Sequence, residues 1–311
     1  MTILVCGEAL YDLFQVDEPE PGRLSLDARV GGSPFNVAIG IARLGGKASL
    51  LTGISTDLLG SRLMARLEAE GVGVDLIIRS GRRTTLSLVG LDPNGSPEYA
   101  FYGVGSADCA ISASDLPAVP DHVEALHFGS YSIAVRPVAD AFAELAARES
   151  HRFLSLDPNV RLTIEPEIGL WRERIASFAA SANLIKVSAE DLGLLWPGRA
   201  AAEIAHEWLG LGADCVIVTD GGAAVRAWRA DGEISVATEA VEIVDTVGAG
   251  DSFQAAVLSA LQARGAMAVG PADLSSEDLA EILAFAARAA AMTCARRGAD
   301  LPGSVDLRLP S

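Results

Sequence analysis

The sequence predicts an α/β fold built on a doubly wound, mainly parallel sheet, with a second, smaller sheet inserted into it. Three observations carry this. Short apolar runs alternate with helix-patterned segments through most of the chain. Between residues 83 and 103 that rhythm is broken by two strand-like runs joined by a turn. Near the far end, a Gly-Ala-Gly-Asp turn opens a long helix that contains no breaker.

The alternation begins with Ile3-Leu4-Val5-Cys6-Gly7, an apolar strand. Glu8 to Phe14 follows without a helix signal, and Asp12 falls just past the strand's C-terminal end, either as a ligand contact or as a turn residue. Residues 15 to 30 are polar and contain proline, an excursion from the main fold. In Gly31-Gly32-Ser33-Pro34-Phe35-Asn36-Val37-Ala38, Ser33 reads as an N-cap and Pro34 as the first helical residue. That helix ends at Gly45-Gly46, and its first turn holds Asn36, whose carboxamide can both donate to and accept from a polyol.

Ala48 to Ile54 reads as a strand, Asp57 to Glu70 as an amphipathic helix, and Val74 to Ile78 as a short strand. Thr84 to Leu91 and Tyr99 to Tyr102 are strands joined by Asp92-Pro93-Asn94-Gly95-Ser96-Pro97, which carries hairpin-turn chemistry. Together with the earlier excursion they predict a lid over about 13–30 and 83–104, within one domain spanning 1–311. Phe101 faces a ligand or the lid core.

Regular alternation then resumes. Strands are expected at Ala125 to Gly129, Phe153 to Leu156, Leu184 to Val187 and Cys215 to Thr219, and an antiparallel pair at Ala224 to Arg229 and Ile234 to Thr238. Helices are expected from about Val135 to Arg148, Trp171 to Ser181, Ala200 to Leu209 and Glu277 to Arg296, with a short one opened by Ser188.

In Val244-Asp245-Thr246-Val247-Gly248-Ala249-Gly250-Asp251-Ser252-Phe253, small residues stand at a helix N-terminus. Backbone N–H groups and the positive end of the macrodipole converge there, an arrangement that binds phosphate. A carboxylate at Asp251 would repel a resting phosphate. It makes sense as a base that takes a proton from a hydroxyl attacking that phosphate. The plainer reading is a glycine-rich loop opening a core helix, with Asp251 complementing the dipole.

The chain has 311 residues, half of them hydrophobic, and a net charge of −17. That balance argues against a basic nucleic-acid-binding face. The chain opens directly into a strand and has no apolar run of membrane-spanning length, so no membrane partner is expected. Cys6, Cys109, Cys215 and Cys294 form no C-x-x-C pair and read as reduced thiols of a cytoplasmic protein. His122, His127, His151 and His206 lack ligand spacing, so no histidine metal site is expected.

The candidate ligand-facing residues all follow strand ends: Asp12, Asp157 to Arg161, Lys186 and Ser188, Thr219 to Gly222, and Asp245 to Asp251. They predict one crevice at the C-terminal edge of the sheet. Acidic and amide groups there suit a neutral polyol, and the backbone turns at 221–222 and 248–250 suit phosphates. The combination points to phosphoryl transfer from a nucleotide to a sugar hydroxyl, with Mg²⁺ held largely through water and Glu190 or Asp191 behind it.

The stretches Gly31 to Ala38 and Asp245 to Phe253 resemble the two signatures of the PfkB (ribokinase-like) carbohydrate kinase family, in family order and at family-like separation. The resemblance covers nearly the whole chain. It implies a three-layer α/β/α fold with a β lid, ATP and Mg²⁺ as cofactors, and often a stimulatory K⁺. It makes Asp251 the catalytic base and Gly248, Ala249 and Gly250 the anion hole. It places the sugar against Asp12, Gly31, Gly32, Asn36, Phe101 and Arg161. The nucleotide falls to Lys186, Ser188, Thr219, Gly221, Gly222 and, on the adenine side, Ala287. K⁺ falls to Asp245 and Val247.

Within the family, Cys6 to Asp12, Asp157-Pro158-Asn159-Val160-Arg161 and Lys186-Val187-Ser188 are most similar to bacterial fructokinases, implying D-fructose as acceptor. The Asp-Pro-Asn-x-Arg element also occurs in 2-keto-3-deoxygluconate kinases, and ribose or a nucleoside is a further alternative. The family's metal-supporting Asn-x-x-Glu appears here as Ser188-Ala189-Glu190-Asp191, which leaves Glu190 and Asp191 both open as the Mg²⁺ support. A non-catalytic sensor on the same fold has no need of the Asp251 base. A nicotinamide dehydrogenase is disfavoured, because Gly7 is not followed by G-x-G-x-x-G. The lid's outer face is expected to pair with a second subunit.

Overall fold

In the computed structural model, which describes residues 1–16, 22–91, 97–268 and 270–310, an eight-stranded sheet is sandwiched between two helical layers. Its first six strands in chain order are β1 (Thr2–Cys6), β4 (Ala48–Leu51), β9 (Val123–Gly129), β10 (Phe153–Asp157), β11 (Leu184–Ser188) and β12 (Cys215–Thr219). All of these pair in parallel. The remaining two, β13 (Ala224–Arg229) and β14 (Gly232–Ala237), extend the sheet antiparallel. Strands buried on both faces read as unbroken apolar runs, and β1 is one of them. Its Ile3 and Val5 enter one core, and Leu4 and Cys6 the other.

The first core is covered by α1 (Ser33–Arg43), α2 (Leu58–Ala69), α7 (Ala249–Ala263) and α8 (Ser276–Cys294). The second is covered by α3 (Val138–Arg148), α4 (Ile168–Ala179), α5 (Ala189–Leu195) and α6 (Ala201–Leu211), which bury Phe142, Trp171, Leu192 and Trp208. This is the three-layer arrangement expected. Within the first core α1 and α7 lie unusually close. A Cβ on Gly40 would come within 2.6 Å of the Ala255 Cβ.

A separate four-stranded sheet has the order β3-β2-β7-β8. It is formed by β2 (Leu10–Gln15), β3 (Leu26–Gly31), β7 (Thr85–Leu91) and β8 (Pro97–Tyr102), drawn from the two segments expected to leave the main fold. Its first strand starts at Leu10, so Asp12 lies on that strand, opposite Arg29 and Ser87, and not in a turn after β1. The hairpin turn expected over Asp92 to Ser96 lies outside the described residues, as does part of the 15–30 segment.

Several boundaries differ from the sequence reading. The run Ala48 to Ile54 splits, because β5 (Gly53–Ser55) leaves the main sheet to pair with β6 (Ile78–Ser80). A Cβ on Gly53 would strike the Ala107 carbonyl oxygen, so glycine permits that departure. The strand expected over Val74 to Ile78 begins only at Ile78, because Ile77 N–H closes a turn onto the Val74 carbonyl. Helix α3 starts at Val138, after a 3₁₀ turn over Ser130–Ile133 and with Pro137 at its N-cap. The N-cap of α1 is Gly32 and not Ser33, whose hydroxyl is used elsewhere. No helix among the described residues is long and apolar enough to cross a membrane. The four cysteines are free thiols.

Glu8 sits in the link between β1 and β2 and is fully buried. Burial pushes its carboxyl up to about 7, against hydrogen bonds from Ser130 and Ser132 that favour the ionised form. Below pH ~4 both folded and unfolded chains carry this proton. As pH rises, the unfolded chain ionises first, so this group lowers stability progressively up to pH ~7, and the deficit is constant above that. Glu8→Gln is expected to be the more stable protein at pH 8, by on the order of 3 kcal/mol, with little difference at pH 4. Urea melts at both values check it; an identical pH dependence in the two proteins contradicts it.

Candidate active site

The head of α7 anchors the site. Gly248 adopts φ 80°, a left-handed conformation that favours glycine, and a Cβ there would lie 2.7 Å from the Ala299 Cβ. Ala249 and Gly250 then begin the helix, and Asp251 follows in its first turn. Asp251 is only 8% exposed. Its two carboxylate oxygens are held separately: Ser33 Oγ donates to one at 2.6 Å, and Asn36 Nδ2 to the other at 2.8 Å. The two sequence stretches, more than two hundred residues apart, therefore meet at this one side chain.

Burial raises the Asp251 pKa above its ordinary value. The bonds from Ser33 and Asn36 oppose that shift, the charge of Asp157 adds to it, and that of Lys186 opposes it. A carboxylate with a raised pKa is a better proton acceptor.

Asp12 projects from β2 beside this centre. Burial raises its pKa, countered first by a hydrogen bond from Ser87 and then by the charge of Arg161. The charge of Asp251 acts on it as well. Gly31 makes room for it, since a Cβ there would lie 2.3 Å from Asp12 Oδ2. Gly32, at φ 106°, passes so close to Glu8 that a Cβ would sit 2.8 Å from that residue's carbonyl oxygen. Asp12, Gly31 and Asn36 line a cleft of about 560 Å³. Arg62, Arg297 and Val247 line it as well.

Other predicted residues take varied places. Phe101 stacks edge-on against Tyr131, with ring centroids 5.1 Å apart, and so packs on the second core. Arg161 is exposed, and its guanidinium donates to the Val160 carbonyl. Lys186 is buried in an ion pair with Asp157 at 2.8 Å. The Ser188 hydroxyl caps α5, accepting from Asp191 N–H. Asp191 is buried and accepts from Val160 N–H, whereas Glu190 is exposed. Burial raises the Asp191 pKa, the neighbouring Asp157 charge adds to it, and the charges of Lys186 and Arg161 oppose it.

Thr219 ends β12, and Gly221 and Gly222 follow it, with Gly221 at φ 47° and both glycines exposed. Ala287, on α8, borders a second cleft of about 390 Å³ with Ala237, Glu239 and Arg288. Asp245 braces the approach to α7: its carboxylate accepts from Val247 N–H at 3.0 Å and Gly298 N–H at 2.8 Å. Val247 is exposed on this loop. Among the described residues no cluster of three or more His, Cys, Asp or Glu side chains could hold a metal by itself.

Sequence reasoning missed two partners. Ser33 reads as a cap, yet it donates to Asp251; its spacing of three from Asn36, on one helical face, was the available signal. Ser87 carries no local signal, because it acquires its role only through strand pairing.

Residues 2–305 match the pfkB family carbohydrate kinase. A fructokinase of Rhizobium leguminosarum bv. trifolii is 37% identical over 263 residues, covering 84% of this chain and 79% of the relative. Probable fructokinase-5 of Arabidopsis thaliana is 34% identical, covering 96% and 92%. Among solved structures, a fructokinase with bound ATP from Xylella fastidiosa superposes with a TM-score of 0.87 at 26% identity, covering 99% of this chain and 95% of the other. Aminoimidazole riboside kinase from Salmonella enterica, complexed with aminoimidazole riboside and an ATP analog, superposes with a TM-score of 0.80 at 27% identity, covering 96% and 95%.

If Asp251 is the base it must be ionised, and activity is then expected to fall as pH drops through its raised pKa. Ser33→Ala removes a bond that favours the ionised form and raises that pKa further. The acidic limb of the kcat/KM profile is expected to move up by about one pH unit. An unmoved limb would separate Asp251 from the titration that controls activity.

Proposed function

Because the chain belongs to the pfkB family of carbohydrate kinases, we propose that it transfers the terminal phosphoryl group of ATP to a primary hydroxyl of D-fructose. The observation that carries this reading is Asp251, buried at the head of α7 and gripped by both Ser33 and Asn36, within reach of the charge of Asp12. Fructose as the acceptor draws support from the named fructokinases among the relatives.

In this reading Asp12 and Asn36 hold the sugar by its hydroxyls, and Gly31 and Gly32 let it approach the backbone. Asp251 takes the proton of the attacking hydroxyl. The first-turn N–H groups at Gly248 to Gly250 receive the charge that gathers on the transferred phosphoryl oxygens. The nucleotide lies across the turn at Thr219, Gly221 and Gly222, with its base toward Ala287. Lys186 and Ser188 flank the phosphates, Arg161 and Phe101 border the sugar, and the four-stranded sheet serves as lid to a single domain.

Mg²⁺ would neutralise the phosphates, largely through its own waters, and the buried Asp191 fits the supporting role better than the exposed Glu190. K⁺ at Asp245 and Val247 has less behind it, because both Asp245 carboxylate oxygens already accept backbone N–H groups. The exposed Leu24, Leu26 and Tyr102 on and beside the lid support pairing with a second copy, and the free thiols suit a cytoplasmic setting.

One observation favours a second reading. Arg62 and Arg297 on the cleft wall would suit the carboxylate of an acid sugar such as 2-keto-3-deoxygluconate. The two readings separate in an assay of ADP release with Mg²⁺-ATP and K⁺, across fructose, 2-keto-3-deoxygluconate, ribose, glucose and adenosine. The highest kcat/KM is expected on fructose, and a preference for the acid sugar transfers the assignment. Asp251→Asn is expected to lose about 10² or more in kcat on the favoured sugar. Near-wild-type turnover would remove Asp251 from its role. Light scattering is expected to give a dimer; a monomer removes the pairing through the lid.

A further inference from the structure

The Asp157–Lys186 ion pair lies beneath the head of α7, and the reading above gives Asp157 no task. Asp157 ends β10 and Lys186 lies on the adjacent β11, with Nζ 2.8 Å from Oδ2. Their side chains are 2% and 5% exposed. Tying β10 to β11 does not require them, because the backbones of those strands already pair at Ser155–Leu184 and Leu156–Ile185. A buried ion pair is also a weak source of stability, since desolvation offsets most of the attraction.

The position of the ammonium is more informative. A Cβ on Gly250 would lie only 3.1 Å from Lys186 Nζ. Gly250 does not have the positive φ of Gly248, so backbone conformation does not demand glycine there. A Cβ there would press on the ammonium and shift it by a few tenths of an ångström. Lys186 therefore sets a full positive charge against a helix N-terminus, which is itself positive. Two like charges converging on one point are unfavourable unless an anion arrives between them. Asp157 makes the arrangement tolerable before it does, and it engages Lys186 with one oxygen only. Its Oδ1 is buried without a hydrogen-bond partner among the described residues. Its negative charge bears on Asp251 and Asp191 at the same time.

We propose that Asp157 is a positioning residue that holds the Lys186 ammonium against the first turn of α7, so that ammonium and helix dipole together receive the phosphoryl group in transit. The proposal rests on the kinase reading. In the step concerned, the acceptor oxygen forms a bond to the γ-phosphorus, and its proton passes to Asp251. The bond from that phosphorus to the β,γ-bridging oxygen breaks, and its electron pair leaves with ADP. Lys186 keeps its three protons throughout and contributes charge alone. Gly250 is the gap through which that charge reaches the phosphoryl oxygens.

The test is a double-mutant cycle of Asp157→Asn and Lys186→Met, with Gly250→Ala alongside. Lys186→Met is expected to lower kcat about 10²-fold, and Asp157→Asn about 10-fold or more, with the sugar KM within about two-fold of wild type. The double variant should be no worse than Lys186→Met alone. Gly250→Ala, which displaces the ammonium while removing neither charge, should also lower kcat, and Asp157→Glu should recover part of the loss. Losses that multiply in the double variant, or full kcat in Asp157→Asn, overturn the proposal.

Calorimetry supplies a readout that needs no acceptor. Asp157→Asn should weaken ATP about 10-fold and leave ADP within about two-fold, because the ammonium faces the terminal phosphate. Equal weakening of both nucleotides, or none, also overturns it. A wild-type protein that binds ATP but turns over no sugar would overturn the kinase reading, and the nucleotide comparison would still decide the role of Asp157.

Discussion

The site depends on one contact, the grip of Ser33 and Asn36 on Asp251. It joins the first turn of α1 to the first turn of α7. A buried carboxylate without partners would take up a proton or be expelled toward water. Two donors, one to each oxygen, keep it in place and favour its ionised form. The packing beneath serves the same end. Gly40 and Ala255 bring the two helices close enough for side chains as short as serine and asparagine to bridge them.

Each glycine of the two motifs has its own reason. Gly248 meets the demand of a left-handed turn and of Ala299 pressed against it, whereas Gly250 leaves room for an ammonium. Gly31 leaves room for the Asp12 carboxylate, and Gly32 for a backbone oxygen. A residue type that a sequence pattern records as uniform is thus used for conformation at some positions and for clearance at others. The clearance cases mark where a charged or polar group comes closest to the backbone, so they outline the functional surface from within.

Most of the fold was legible because its period was. The parallel strands are short apolar runs between amphipathic helices, and the antiparallel pair at Ala224 to Ala237 was as plain as they were. Failures came where tertiary demands overrode local pattern. Ser33 has every feature of a cap, yet its hydroxyl meets Asp251 and leaves the cap to Gly32. Val74 to Ile77 has strand composition, but a turn takes it. In the site, residues on the two motifs could be read from the chain, since a helix N-terminus states its own chemistry. Ser87 could not, because only strand register delivers it to Asp12.

The near-contact of Gly40 with Ala255 carries one more consequence. Helices that pack backbone against backbone have no compliant side chains between them to absorb a shift. The α1–α7 pair should therefore behave as a stiff jig that fixes the Asp251 carboxylate relative to one end of the cleft. The strand carrying Asp12 belongs to a different sheet and is free of that constraint. Evolution could then exchange the molecule admitted by altering that sheet, while the tolerances of the reacting centre stay untouched.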